Sequence, residues 1–159
     1  MKEISLNIIN DFKKKNIKSP YKYKDFQIIA QWAYKNIKYD YNCIGKDMDA
    51  MEIYNKKIGV CKDFTKLCNA LLYSIGYQVI YISGIALDQQ INFYNGTGHA
   101  WSLVKDNGKW YPFDATWGIY FGKLPVSHIF VNCFNLNSNI LGTDSCKFGK
   151  TIEEIEFVE

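Results

Sequence analysis

Three residues of this chain have the types and settings that nucleophilic catalysis requires: Cys61, His99 and Asp114. Cys61 heads a run in which Phe64, Leu67, Cys68, Leu71, Leu72 and Ile75 recur at helical spacing. That run predicts a helix starting at Val60–Cys61, with Gly76 placed for the left-handed residue that often ends one. A cysteine in the first turn lies among unpaired main-chain N–H groups at the positive end of the helix dipole, which favours a thiolate. The same position also extends the apolar stripe, so a buried and inert thiol is the competing reading.

His99 and Asp114 fall on two strand-like runs, His99 to Lys105 and Trp110 to Thr116, joined by Asp106-Asn107-Gly108-Lys109. Asn-Gly between strands signals a type I′ hairpin turn, which needs positive φ at both positions. With Asn107 and Gly108 as the loop, paired residue numbers sum to 215, and Trp101 faces Asp114 while His99 faces Thr116. His99 and Asp114 are then diagonal neighbours on one face, with Cα atoms roughly 7–8 Å apart. A carboxylate there can fix the tautomer and orientation of the imidazole, the third part of a nucleophile–base–orienter set. A one-residue slip would place the two on opposite faces. The competing reading is a surface histidine near a strand-end aspartate.

The segments Gly59-Val60-Cys61-Lys62-Asp63-Phe64, Gly98-His99-Ala100-Trp101 and Asp114-Ala115-Thr116-Trp117-Gly118 together resemble the three-motif signature of the transglutaminase-like superfamily, in its compact bacterial and archaeal form. The order Cys, His, Asp and the setting of each match, and the resemblance spans roughly Lys24 to Cys133. It implies a papain-like α+β core with Cys61 as nucleophile, His99 as base and Asp114 as orienter. It also implies thiolate attack on a carboxamide or peptide carbonyl, through a thioester resolved by water or an amine. Family members often add an indole upstream of the cysteine to steady the oxyanion, and Trp32 is the only tryptophan there. The expected activity is that of a cysteine peptidase or amidase on a peptide or protein amide. Glutamine-to-amine transfer, or a non-catalytic binding module of the same fold, are the alternatives. The acidic clusters of the calcium-dependent animal enzymes and the paired-cysteine zinc site of peptide N-glycanases are missing, so neither metal nor cofactor is expected.

The elements that must position these residues follow from the rest of the chain. Its 159 residues, 48% hydrophobic and 16% aromatic, suit a single domain over 1–159 with a sizeable core. Pro20 separates a first helical stretch, Met1 to Ser19, from a second, Asp25 to Lys38, whose Phe26, Ile29, Ala30, Ala33 and Ile37 share a face. Tyr39 to Asp47 reads as loop and Met48 to Asn55 as a short helix. Tyr77 to Ser83, Ser127 to Phe134 and Ile152 to Val158 read as further strands, and the polar stretch Asp88 to Thr97 as a surface excursion able to cover a site. Helices followed by antiparallel strands make an α+β fold with an N-terminal helical half and an antiparallel sheet.

Composition narrows the partners. Nineteen lysines and no arginine face 16 acidic residues, a net +3 spread along the chain, which argues against a nucleic-acid module. No apolar run approaches the roughly 18 residues of a membrane span, so no membrane partner is expected. Met1 to Ser19 lacks a signal-peptide core, which makes the cytoplasm the expected location. The five cysteines, Cys43, Cys61, Cys68, Cys133 and Cys146, form no CxxC pair, and an odd number leaves at least one thiol free. Cys68, central in its helix stripe, reads as buried and inert, and His128 as a strand residue.

Overall fold

A computed structural model describes residues 1–86, 97–124, 128–135 and 145–146. Its helices are α1 (Lys2–Lys15), α2 (Asp25–Asn36), α3 (Ala50–Lys56) and α4 (Cys61–Ser74). Two short strands, β1 (Lys38–Tyr39) and β2 (Ile58–Gly59), lie between them, and β3 (Gln78–Ala86), β4 (Thr97–Asp106), β5 (Lys109–Phe113), β6 (His128–Asn135) and β7 (Ser145–Cys146) follow. The last five form one antiparallel sheet in the order β5-β4-β3-β6-β7. This is the α+β arrangement expected from the sequence.

The helix α4 is the hub. Its stripe of Phe64, Leu67, Cys68, Leu71 and Leu72 is almost wholly buried, packed between the sheet and the other helices. Ile8 and Ile9 of α1, Phe26, Ile29 and Ala33 of α2 and Ile53 of α3 complete that core from outside, while Val79, Val104 and Phe113 close it from the sheet. The opposite sheet face carries a smaller cluster of Ile80, Ile82, Trp101 and Leu103. Alternate strand residues thus face two apolar environments, which fixes the register. No helix among the described residues is long and apolar enough to cross a membrane.

Several element boundaries differ from the sequence expectation, three of them where the structure shows the cause. The second helix stops at Asn36, not Lys38, because Ile37 turns extended and Lys38 N–H donates to Lys57 O at 2.8 Å. Ile37 is buried in that conformation as well, so its place in the helical period misleads. Lys38 and Tyr39, read as the end of a helix and the start of a loop, are instead a strand parallel to β2, with Tyr39 beside Gly59. The strand expected over Trp110 to Thr116 ends at Phe113, where Asp114 folds the chain into a tight turn. Asp88 to Gly96, Ser127 and Ile152 to Val158 lie outside the described residues.

Candidate active site

Cys61 is the first residue of α4, and the sequence around it explains why the helix starts there. Asp63, in the first turn, is fully buried and its Oδ2 accepts the Val60 N–H at 2.9 Å, closing the turn from the side-chain side. That carboxylate fits only because residue 59 is glycine: a Cβ at Gly59 would lie 2.6 Å from the Cβ of Asp63. The β1–β2 pairing, with Asp40 N–H on Gly59 O at 3.0 Å, ties the same bend to the end of α2. Cys61 emerges half-buried, with the first-turn N–H groups around it.

His99 sits on β4 opposite Gly84 of β3. The β4–β5 hairpin turns through Asn107 and Gly108 with φ of 50° and 82°, and Asp106 pairs with Lys109 through to Ser102 with Phe113. Paired numbers therefore sum to 215, as the turn chemistry predicts. One residue beyond the ladder, Asp114 places Oδ2 2.6 Å from His99 Nε2. Its Oδ1 accepts the N–H groups of Thr116 (2.8 Å) and Trp117 (3.3 Å), and its main chain bonds Ile119 in both directions.

A carboxylate only accepts hydrogen bonds, so His99 donates from Nε2 and keeps Nδ1 for Cys61 on its other side. Burial disfavours the His99 imidazolium, but its hydrogen-bonding and charge interactions with Asp114 and Cys61 outweigh this and raise its pKa to about 9. Asp114 is itself buried, which opposes ionisation, yet donors from His128 and His99 hold its carboxyl below the usual range. Trp117 stacks on the His99 ring at 4.7 Å between centroids. By contrast Cys68 is fully enclosed and burial pushes its thiol far up, as expected for an inert core cysteine.

Cys61 and His99 open onto a cleft of about 510 Å³ bordered by Ile44 and Gly45 on one side and Tyr81, Ser83, Gly84 and Ile85 on the other. Trp32 does not border it. Its indole stacks on Tyr54 (5.6 Å, 20°) under the Lys57 ammonium and lines a separate cavity between α1 and α2. The phase of α2 that sets Trp32 at the edge of the apolar stripe aims it toward Tyr54 of α3.

Residues that sequence reasoning passed over stand around the pair instead. His128, read as a strand residue, does begin β6, and its Nε2 lies 3.0 Å from Oδ2 of Asp114. Tyr39 lies against the Cys61 main-chain N–H and thiol, and Tyr81 borders the cleft with its hydroxyl pushed up to about 12 by burial and the neighbouring Cys61 and Asp63. No local signal in the sequence marks His128 or Tyr81, since both depend on which strands flank β3. For Tyr39, the strand pairing with Gly59 is the missing clue. Ligand atoms of His99, Asp114 and His128 all lie within 4.8 Å of one another, a two-imidazole, one-carboxylate set of the kind transition metals accept. In the arrangement observed, both imidazoles bond the carboxylate directly.

Comparison with known proteins shows the family and the fold. The family profile for the transglutaminase-like superfamily matches residues 11–115, two thirds of the sequence, a span that includes Cys61, His99 and Asp114. The chain belongs to the transglutaminase-like superfamily. Among solved structures, this superfamily member is similar to a "putative cysteine protease" from Cytophaga hutchinsonii, with a TM-score of 0.52 and 22% identity over 86% of this chain and 53% of that one. It is also similar to a TGase (TM-score 0.52, 15% identity, 78% of this chain and 33% of that one). A third is calcium-bound LapG of Legionella pneumophila (TM-score 0.51, 16% identity, 84% and 73%). The chain thus spans about half of the first structure and a third of the second, and at these identities the likeness is one of fold. A search of curated protein sequences gave no match.

Proposed function

We propose that this chain is a cysteine-dependent acyl-transfer enzyme that hydrolyses an amide or peptide bond through a thioester on Cys61. The observation that carries the reading is the placement of Cys61 at a helix N-terminus beside His99, whose far nitrogen is held 2.6 Å from a buried carboxylate. An imidazolium retained at neutral pH stabilises the neighbouring thiolate. The thiolate attacks the carbonyl carbon, the carbonyl π pair moves to oxygen, and collapse of that intermediate expels the amine, which takes its proton from His99. Neutral His99 then draws a proton from water as the hydroxide equivalent adds to the thioester, and Cys61 is released.

The substrate end of the proposal rests on the cleft walls. Ile44 and Ile85 are 65% and 39% exposed and flank the cysteine, which suits a peptide with an apolar side chain near the scissile carbonyl. Water as acceptor is the default; transfer to an amine requires an acceptor that outcompetes it. A binding module of the same fold does not require a half-buried thiol, an imidazole and a buried carboxylate held together.

Iodoacetamide alkylation of each cysteine, followed by peptide mass spectrometry from pH 5 to 9, tests the reading without a known substrate. Cys61 should label rapidly near pH 6 and lose that advantage in His99→Ala, while an ordinary thiol, with a pKa of about 8.5, reacts slowly there. Equal rates for Cys61 in the two proteins would overturn it. Incubation with casein, with and without dansylcadaverine, then separates hydrolysis from amine transfer.

A further inference from the structure

The oxyanion created on attack needs donors, and the indole expected to help, Trp32, is packed elsewhere. We infer that Tyr39 is a catalytic residue for this reaction, its hydroxyl donating to the oxyanion alongside the Cys61 N–H. The inference rests on the acyl-transfer reading above and adds a residue that reading does not contain.

Four observations carry it. The first is backbone placement: β1 pairs in parallel with β2, Tyr39 lies beside Gly59, and Asp40 N–H bonds Gly59 O, so Tyr39 is locked two residues ahead of the nucleophile. The second is side-chain placement: the ring packs 6.3 Å from Phe64 in the first turn of α4 and edge-on to Tyr41 at 5.2 Å, and the hydroxyl interacts electrostatically with the main-chain N–H and thiol of Cys61. The third is the cap. Val60 offers no side-chain oxygen to the first N–H groups of α4, which leaves them available to a substrate oxygen. The fourth is access, because Tyr39 is 39% exposed and a carbonyl can reach it from solvent. Burial and the adjacent Cys61 hold the hydroxyl above its ordinary pKa, so it stays protonated and able to donate throughout the neutral range.

In the step itself, the Cys61 sulfur bonds the carbonyl carbon and the π pair becomes a lone pair on oxygen. That oxygen enters between the Cys61 N–H and the Tyr39 O–H, replacing their resting contact with one bond to each. Donors placed where charge develops act on the transition state more than on the ground state.

Two reactions of the same thiol separate this role from others. Acylation by p-nitrophenyl acetate passes through an oxyanion: the S–C bond forms, the ester C–O bond breaks, p-nitrophenolate leaves and the acetyl group stays on sulfur. Alkylation by iodoacetamide displaces iodide with no oxyanion. In Tyr39→Phe, which keeps the ring packing, acylation should fall about 100-fold, the usual effect of losing one such donor. Alkylation should change by no more than about threefold. Tyr41→Phe should leave both rates as in wild type. Unchanged acylation in Tyr39→Phe overturns the inference, and so does a parallel fall in both rates, which would make Tyr39 a support for the thiolate instead. A parallel fall with a lowered melting temperature would assign it to packing. If wild-type acylation survives Cys61→Ala, the acyl-transfer reading itself fails, an outcome distinguishable because it does not involve Tyr39.

Discussion

Nε2 of His128 lies 3.0 Å from Oδ2 of Asp114, the same oxygen that His99 bonds at 2.6 Å. With Oδ1 held by two main-chain N–H groups, the carboxylate has four donors around it and little freedom to rotate. His128 is wedged edge-on against Trp101 and Trp117, 5.0 Å from each, so it cannot swing away from Asp114 without disturbing the cluster. His128→Ala should therefore cost about 2–3 kcal/mol of stability through a lost charge-assisted bond and the space left behind. Acylation should fall about tenfold, since an orienter with more freedom orients less well. His128→Gln, which retains a donor, should recover much of both. The checks are a urea melt and a p-nitrophenyl acetate time course; wild-type behaviour of the alanine variant in both would remove His128 from any supporting role.

The same set of four donors decides how Asp114 should be probed. Alanine there would leave the Thr116 and Trp117 N–H groups and two imidazoles without their acceptor, so a loss of activity would be confounded with misfolding. Asparagine keeps the oxygen that Thr116 and Trp117 need and replaces the one that His99 needs. Asp114→Asn should keep the fold while lowering acylation by about 10²- to 10⁴-fold, the range seen when an orienting carboxylate becomes an amide. Circular dichroism and the acylation rate measured on one preparation test this. Full turnover in the asparagine variant would show that Asp114 is not the orienter.

The hairpin was legible because its determinants are local. Asn107-Gly108 sets the turn, the turn sets the register, and the register brings His99 and Asp114 to one face. The α4 stripe and its cysteine were legible for the same reason, as period and cap lie within one helix. Trp32, Tyr39 and His128 were not, because their roles depend on pairings between distant segments. Helical phase alone cannot say that α2 directs Trp32 to Tyr54, nor that Tyr39 pairs with Gly59, nor that β6 lies beside β3 so that His128 reaches Asp114. Ile37 shows the limit most plainly: an apolar residue buried in an extended conformation fits the helical count as well as a helical one does.

The raised proton affinity of His99 makes a pH prediction with a definite sign. Its folded pKa of about 9 exceeds the roughly 6.5 of an unfolded histidine. The stability it contributes is therefore complete below about pH 6.5 and is lost as pH rises toward 9. The melting temperature should decline by several degrees across that window in wild type, and the slope should flatten in Asp114→Asn. In the proposed mechanism the departing amine takes its proton from His99, so amide hydrolysis should fall above about pH 9. The chain has two histidines, so both imidazole C–H signals can be followed by NMR. A His99 midpoint near 6.5 in the wild-type protein would contradict the whole coupling.

Gly59→Ala tests the foundation on which Cys61 stands. The added Cβ would come within 2.6 Å of the Asp63 Cβ and 3.2 Å of its Oδ2, and neither can retreat cheaply because Asp63 is buried in the first turn of α4. Either the helix start shifts or the Val60–Asp63 bond breaks, and both move Cys61 relative to His99. A destabilisation of about 1–3 kcal/mol is expected, and the rapid alkylation of Cys61 near pH 6 should slow along with acylation. Gly98→Ala is the contrast, since its Cβ would meet nothing within 4 Å and its urea midpoint should stay close to wild type. If Gly59→Ala unfolds and labels as the wild-type protein does, then the close approach of Gly59 and Asp63 does not hold Cys61 in place, and the capping interaction at Val60 would have to be reassigned.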